Sequence, residues 1–132
     1  MTYNYVSDLL VELSKTPAIE NIVIENGTYV VSEDYAIRRM NDIYGPGNWE
    51  IREVKFEDLK DEDNHSIGKV CFLTLGYLHP MSEKWLTTEG TAELGSLNEK
   101  DITRIAFLDA VKNLGNTFGR MLAFEPNKME AA

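Results

Sequence analysis

The sequence predicts an α+β fold: a β-hairpin, a helix, a three-stranded antiparallel sheet and a long C-terminal helix, the last two forming a β-β-β-α core. Three observations carry that expectation. Asn26-Gly27 stands between the β-branched runs Ile22–Ile24 and Thr28–Val31, the dipeptide that two-residue hairpin turns prefer because both central residues need positive φ. Apolar residues recur with helical spacing over 33–44 and again beyond 98. Between those stretches, residues 49–91 read as three extended segments separated by polar turns.

With 132 residues the chain has room for one domain. Residues 1–18 are expected to hold an N-terminal helix, 20–122 the core and 123–132 a frayed tail. Tyr3 to Lys15 reads as a short amphipathic helix with Val6, Leu9, Leu10 and Leu13 at helical spacing, ended by Pro17. Ser32 is a good N-cap, and Glu33 and Asp34 follow it at the positive end of the helix dipole. Ala36, Ile37, Met40, Ile43 and Tyr44 then form one apolar stripe, with Arg38, Asn41 and Asp42 outside it. Gly45-Pro46-Gly47 stops that helix.

The first strand of the sheet, Trp49 to Phe56, changes phase near Arg52-Glu53, the sign of a bulge. An acidic loop over 57–66 follows it. Lys69 to Leu78 is apolar on both alternating sets, as a central strand covered on two sides would be. His79-Pro80-Met81-Ser82 turns the chain into Lys84–Thr91. Asn98 can cap a last helix from Glu99 to about Leu122, keeping Phe107, Ala110, Val111, Leu114, Phe118 and Met121 on one face. At 100° per residue, Lys112, Asn113, Asn116 and Arg120 would share an opposite arc of roughly 100°, with Asp109 among them.

Thirteen Lys and Arg against twenty-two Asp and Glu give a net charge of −9, so the chain as a whole repels polyanions. The excess is local. Residues 1–34 and 57–63 together hold eleven acids and two bases, leaving eleven of each elsewhere. A positive groove is therefore compatible with the total. Cys71, the one cysteine, excludes an internal disulfide and a cysteine-built zinc site, and reads as a small core residue. No apolar run reaches the ~18 residues of a membrane helix, and the first residues lack the order of a signal peptide. A reducing cytoplasm and no membrane partner are the expectation.

Enzyme chemistry is not expected, and neither is a cofactor or a metal. The sequence has no G-x-x-x-x-G-K-[ST] loop and no H-E-x-x-H pair. His65 and His79 fall in a polar loop and a turn. Asp61-Glu62-Asp63-Asn64-His65 has Ser66 where a calcium loop needs Gly and lacks a Glu at the twelfth position, so it reads as a solvated loop. Trp49 is either a core tryptophan anchoring its strand or a ring edging a groove where a base could stack. Arg38, Arg39, Lys112 and Arg120 are each ordinary as solvated or ion-paired helix residues. Together they would put cations on two helices beside one sheet, which a phosphate-tracking groove needs.

Tyr35-Ala36-Ile37-Arg38-Arg39-Met40-Asn41-Asp42-Ile43-Tyr44-Gly45, followed by Gly47-Asn48-Trp49, resembles the helix and "NE-aromatic-G…GW" turn of the Rad-fifty-two family of single-strand annealing proteins. Gly68-Lys69-Val70 resembles that family's "GK" entry to a central strand. Ala106 to Gly119, above all Asp109-Ala110-Val111-Lys112-Asn113-Leu114 leading to Thr117-Phe118-Gly119, resembles its "AVTDALKRALRTFG" helix. The similarity covers roughly residues 20–122.

The resemblance implies rings or helical arcs of identical subunits. It also implies single-stranded DNA held in a groove around the outside, and ATP-independent annealing of complementary strands in recombination and repair. The chain's length is similar to that of the short phage and bacterial members. A single-strand-binding protein or a recombinase would be further partners. Carried over by position, Lys112 matches a basic groove residue and Arg104 stands where Lys is frequent. Asn113 and Asn116 occupy positions that are basic in eukaryotic members, and Tyr35 stands where those members place Arg. Arg38, Arg39 and Arg120 are cations additional to the family's pattern, and the DNA-contacting set expected is Arg38, Arg39, Trp49, Lys69, Arg104, Lys112, Asn116 and Arg120.

Two other readings share the element order or the charge. A double-stranded RNA module also runs helix, three strands, helix, but opens its last helix with a lysine cluster where this chain has Glu99-Lys100-Asp101. An acidic protein-interaction adaptor would use the anionic surface for a basic partner and would ignore DNA at low salt.

Overall fold

Three helices and five strands follow one another in a computed structural model that describes residues 6–25, 27–94 and 98–122. The expected helix start at Tyr3–Tyr5, Asn26 of the hairpin turn and the tail 123–132 lie outside the described residues. Helix α1 spans Val6–Ser14. A 3-10 turn, Ile19–Asn21, leads into β1 (Ile22–Glu25), which pairs antiparallel with β2 (Thr28–Val31) as Ile22 opposite Val31 through Glu25 opposite Thr28. Helix α2 covers Glu33–Ile43, and the Ser32 hydroxyl accepts from the Tyr35 amide at its N-terminus.

Strands β3 (Trp49–Lys60), β4 (Ser66–Leu78) and β5 (Trp85–Leu94) form an antiparallel meander with β4 in the centre. The pairing register of β3 and β4 shifts between Ile51 and Glu53, where the change of hydrophobic phase places a bulge. Strand β3 runs four residues past its expected end, taking Glu57 and Asp58 into the ladder. Asp58 there lies opposite Lys69, an opposite-charge cross-strand pair. The acidic loop contracts to 61–65 and closes on Asp61, whose Oδ1 accepts from the amides of Asp63 and His65, both at 2.9 Å.

One face of the sheet is covered by α3 (Glu99–Lys112), whose first turn is capped by the Asn98 side chain accepting from the amides of Lys100 and Asp101. Cys71, Leu73 and Leu75 on β4 meet Ile102, Ala106 and Ala110 of α3, with Ala36, Met40 and Ile43 of α2 and Val31 of β2 completing the core. The approach of α3 is close enough to require Gly90 on β5. A Cβ there would collide with the Ala106 carbonyl oxygen and the Ala110 amide. Cys71 is fully buried, and burial pushes its thiol pKa up.

Three expectations change. Strand β4 is covered on one side only: Phe72, on the alternating set, is 41% exposed, because no described element lies over the outer face. Helix α1 buries Leu9 and half-buries Leu13, but leaves Val6 54% and Leu10 57% exposed, so its apolar stripe is divided between core and surface.

The largest change is at the C-terminal end. Helix α3 stops at Lys112 rather than near Leu122, and a 3-10 turn follows over Asn116–Phe118. Gly115 lies between helix and turn, and its packing against α1 requires glycine, since a Cβ there would lie 2.6 Å from the Leu13 carbonyl oxygen. Helix and turn still bury Val111 and Phe118 in the same core. Lys112, Asn113, Asn116 and Arg120 therefore share no single helical arc. Among the described residues, no helix is long and apolar enough to cross a membrane.

Candidate nucleic-acid interface

Trp49 is the joint between α2, the turn that follows it and α3. The Gly45-Pro46-Gly47 turn brings it back under α2, where its indole Nε1 donates to the Asn41 Oδ1 at 2.8 Å. Its ring stacks on Phe107 of α3, centroids 5.9 Å apart and planes 27° from parallel. The ring is half-buried and lines an apolar groove of about 530 Å³ between α2, β3 and the first half of α3. Ile37, Ile51, Phe56 and Phe107 share that lining, and Glu33, Glu99, Lys100, Asp101 and Arg104 edge it. Sequence reasoning found Trp49 but not this company. Ile51 and Phe56 carried the signal, as inward-phase β3 residues lying where α3 does not cover the sheet.

The cations divide into tied and untied. Arg39 is only 14% exposed at its side chain and points inward. Its Nε donates to Thr117 Oγ1 at 2.8 Å, and its Nη2 reaches both the Glu12 carbonyl and the Glu12 carboxylate. Tyr35 secures the same turn by donating to the Thr117 carbonyl at 2.9 Å. Arg39 thus fastens α1 and the 116–118 turn to α2. Hydrogen bonding from Lys15, reinforced by Arg39 against the opposing effect of burial, holds the Glu12 carboxyl below its usual range.

Arg104 is paired with Glu25 of β1 and lies 3.7 Å from Asp101. The Glu25 hydrogen bond pushes its pKa further up. Lys69 reaches Glu99 at 3.2 Å and sits over the Phe56 ring, 5.9 Å from its centroid. Asn116 accepts from the Met121 amide at 3.2 Å and approaches Thr16, which shapes the loop beside α1.

Arg38 is exposed on α2, and Arg120 is exposed after the 3-10 turn. Neither makes an ion pair among the described residues, and neither does Lys112 at the end of α3. Lys112 lines a more polar pocket of about 630 Å³ that it shares with Glu25, Glu93 and Asp109. Lys60, Lys84 and Lys100 are likewise without an ion pair among the described residues. Of the expected DNA-contacting set, then, Arg38, Lys112 and Arg120 have charge to offer an outside anion, whereas Arg39, Lys69 and Arg104 already neutralise carboxylates. Asn113 is engaged too, donating to Thr88 Oγ1 and to the Glu89 carbonyl at 3.0 and 2.9 Å.

Compared with protein-family models and with curated proteins, the chain matches none.

Proposed function

We propose that this protein binds single-stranded DNA and anneals complementary strands without ATP, working as a ring or arc of identical copies in recombination or repair. The observation that carries the reading is the convergence at Trp49. The tryptophan of the Gly-Asn-Trp turn bonds to Asn41 of the Arg-Arg-Met-Asn helix and stacks on Phe107 of the Ala106–Gly119 segment. The segments that resemble the Rad-fifty-two family around the helix and its turn thus build one joint, within the hairpin, helix, sheet and helix order that the resemblance implies.

Annealing requires phosphates to be held while Watson–Crick edges stay open, so cations and amides should meet the backbone and leave the bases free. Arg38, Lys112 and Arg120 are the side chains for that role. Three contacts hold a strand weakly, but repetition along an oligomer raises the effective concentration of each successive contact. The test is annealing of complementary oligonucleotides in ATP-free buffer, with a salt titration of single-strand binding. Acceleration over spontaneous annealing, with log affinity falling linearly in log salt, is the expected result. A protein that ignores oligonucleotides in dilute buffer overturns the proposal.

The acidic-adaptor reading has one observation in its favour. The open face of the sheet carries Glu50, Glu53, Glu57, Glu89 and Glu93, and its two cations, Arg52 and Lys55, are already paired with Glu50 and Glu53. A basic partner bound there, with no DNA affinity, would select it.

A further inference from the structure

We propose that the apolar groove beside Trp49 receives the exposed face of α1 from a second copy of this chain, so that copies join head to tail. The inference rests on the oligomeric part of the proposed function and names the surfaces that build the oligomer.

Among the described residues, a helix face and a groove are both apolar and exposed. The helix face is on α1, and its Leu10 and Ser14 border a shallow depression shared with Leu114 and Met121. At 100° per residue, Val6, Leu10, Ser14, Ser7 and Val11 fill an arc of about 140° without a charge. The three apolar members are 54%, 57% and 57% exposed. Val6 and Leu10 stand one turn apart in a column, the spacing with which an amphipathic helix anchors in a groove. The two serines let a partner surface approach closely. The concave surface is the 530 Å³ groove, walled by Ile37, Trp49, Ile51, Phe56 and Phe107.

The surfaces lie toward opposite ends of α3. The groove is lined by residues from Glu99 to Phe107, whereas α1 packs against Gly115, beyond the last turn. No α1 residue lines the groove of its own chain. The contact between copies is then heterologous, the kind that generates rings when the rotation closes and filaments when it does not.

Charge favours this occupant over a nucleotide. The groove's edge carries Glu33, Glu99 and Asp101 against Lys100 and Arg104; Arg104 is taken by Glu25 and Glu99 by Lys69, which leaves Glu33 and Asp101 against Lys100, a slight acid excess. That edge repels phosphate. Beside the α1 face, Arg120 is exposed without an ion pair among the described residues and borders the same surface as Leu10 and Met121. Docking brings that guanidinium to the acidic edge, so that in the joined state Arg38 and Lys112 remain for phosphate and Arg120 serves the interface.

The experiment uses Leu10→Asp, which blocks the helix, and Ile51→Asp, which blocks the groove. Both sites are exposed, Ile51 at 44%, so both variants should melt near the wild-type temperature. If Leu10→Asp melts lower, Val11→Asp takes its place. Light scattering behind size exclusion should give an oligomer for wild type and monomer mass for each variant alone. An equimolar mixture should give twice monomer mass and nothing larger, because one intact helix meets one intact groove and both ends are then blocked.

A monomeric wild type, a variant of wild-type mass or a mixture that stays monomeric overturns the inference. An Ile51→Asp that keeps its mass but loses oligonucleotide binding assigns the groove to a base instead. Single-strand binding measured on the same samples separates the two proposals. A wild-type oligomer built this way that ignores DNA would sink the annealing reading and leave the interface standing. Monomeric wild type that binds single strands would sink the interface and the ring together and leave only single-strand binding standing.

Discussion

Arg38 and Arg39 are neighbours on one helix with the same charge, and their replacement should have opposite consequences. Arg39→Ala removes the hydrogen bond to Thr117 Oγ1, the bond to the Glu12 carbonyl and the ion pair with the Glu12 carboxylate. Thr117 is fully buried but keeps Tyr35 as a partner, and Glu12 keeps Lys15. The loss is therefore smaller than for a stranded buried charge. A charge-assisted hydrogen bond contributes roughly 1.5–3 kcal/mol, and screening of a partly exposed pair discounts the rest. A total of about 2–3 kcal/mol is expected, which in a chain of this size lowers Tm by roughly 8–12 °C.

Arg38→Ala breaks no ion pair among the described residues and should leave Tm within about 2 °C, since surface substitutions of this kind usually stay within ~0.5 kcal/mol. It should instead weaken single-strand binding and flatten its salt dependence. Thermal unfolding followed by circular dichroism and fluorescence anisotropy of a labelled oligonucleotide measure the two effects on the same preparations. The pH dependence gives a second readout for Arg39. Because the folded Glu12 carboxyl is held below its ordinary value, its contribution is fully present above about pH 5 and is lost as pH falls through the depressed folded pKa. Arg39→Ala should shrink that acid-side loss. An Arg39→Ala protein with unchanged Tm, or an Arg38→Ala protein that melts early with normal DNA binding, would refute the division into tied and untied cations.

Gly90→Ala should destabilise by about 1–3 kcal/mol or more through overpacking against the Ala106 carbonyl, seen as a lower urea midpoint at unchanged slope. Trp49→Phe should cost about 1 kcal/mol by leaving Asn41 Oδ1 without the indole donor while keeping the ring contact to Phe107, again read by urea unfolding. Cys71 should react with a thiol reagent only as fast as the chain opens, since it is fully buried and its thiol pKa is raised by that burial. Rapid native-state labelling would contradict the packing of β4. Neutralising Asp61, Glu62 and Asp63 together should raise affinity for duplex DNA if acids placed away from the groove limit nonspecific binding, and an unchanged duplex affinity would remove that role.

The features legible in the sequence are those that local physics decides. The β-branched runs on either side of the turn pair as the hairpin, Ser32 and Asn98 cap their helices with side chains at hand, and a change of phase after Ile51 puts the bulge where the register shifts. The end of α3 was not legible. Leu114 and Phe118 continue the helical spacing, and Phe118 is buried as that spacing demands, yet the chain reaches its burial through a 3-10 turn. Just beyond the helix end Gly115 packs closely against Leu13, a hundred residues earlier, and periodicity does not register such a contact. The two-sided reading of β4 failed for a related reason. Hydrophobic alternation says which residues share a face but not whether anything will cover it.

Charge was the least legible property, because an ion pair is a fact of tertiary structure. Arg104 meets Glu25 across 79 residues and Arg39 meets Glu12 across 27, so the basic side chains of one helix face could not be counted as a groove before their partners were known. Half of the twelve described Lys and Arg hold carboxylates, and the other half do not. That division makes the weakness of any single-copy site a physical consequence of the fold. The arginines that secure α1 and the hairpin to the core are unavailable to a phosphate without loosening that core. In the proposed activity Arg38, Lys112 and, on a free copy, Arg120 would each release only about one counterion's worth of binding. Affinity for a polyanion by a chain of net charge −9 would then depend on repeating those few cations along an assembly. For that reason the surfaces that join copies matter as much to the proposed activity as the side chains that would touch DNA.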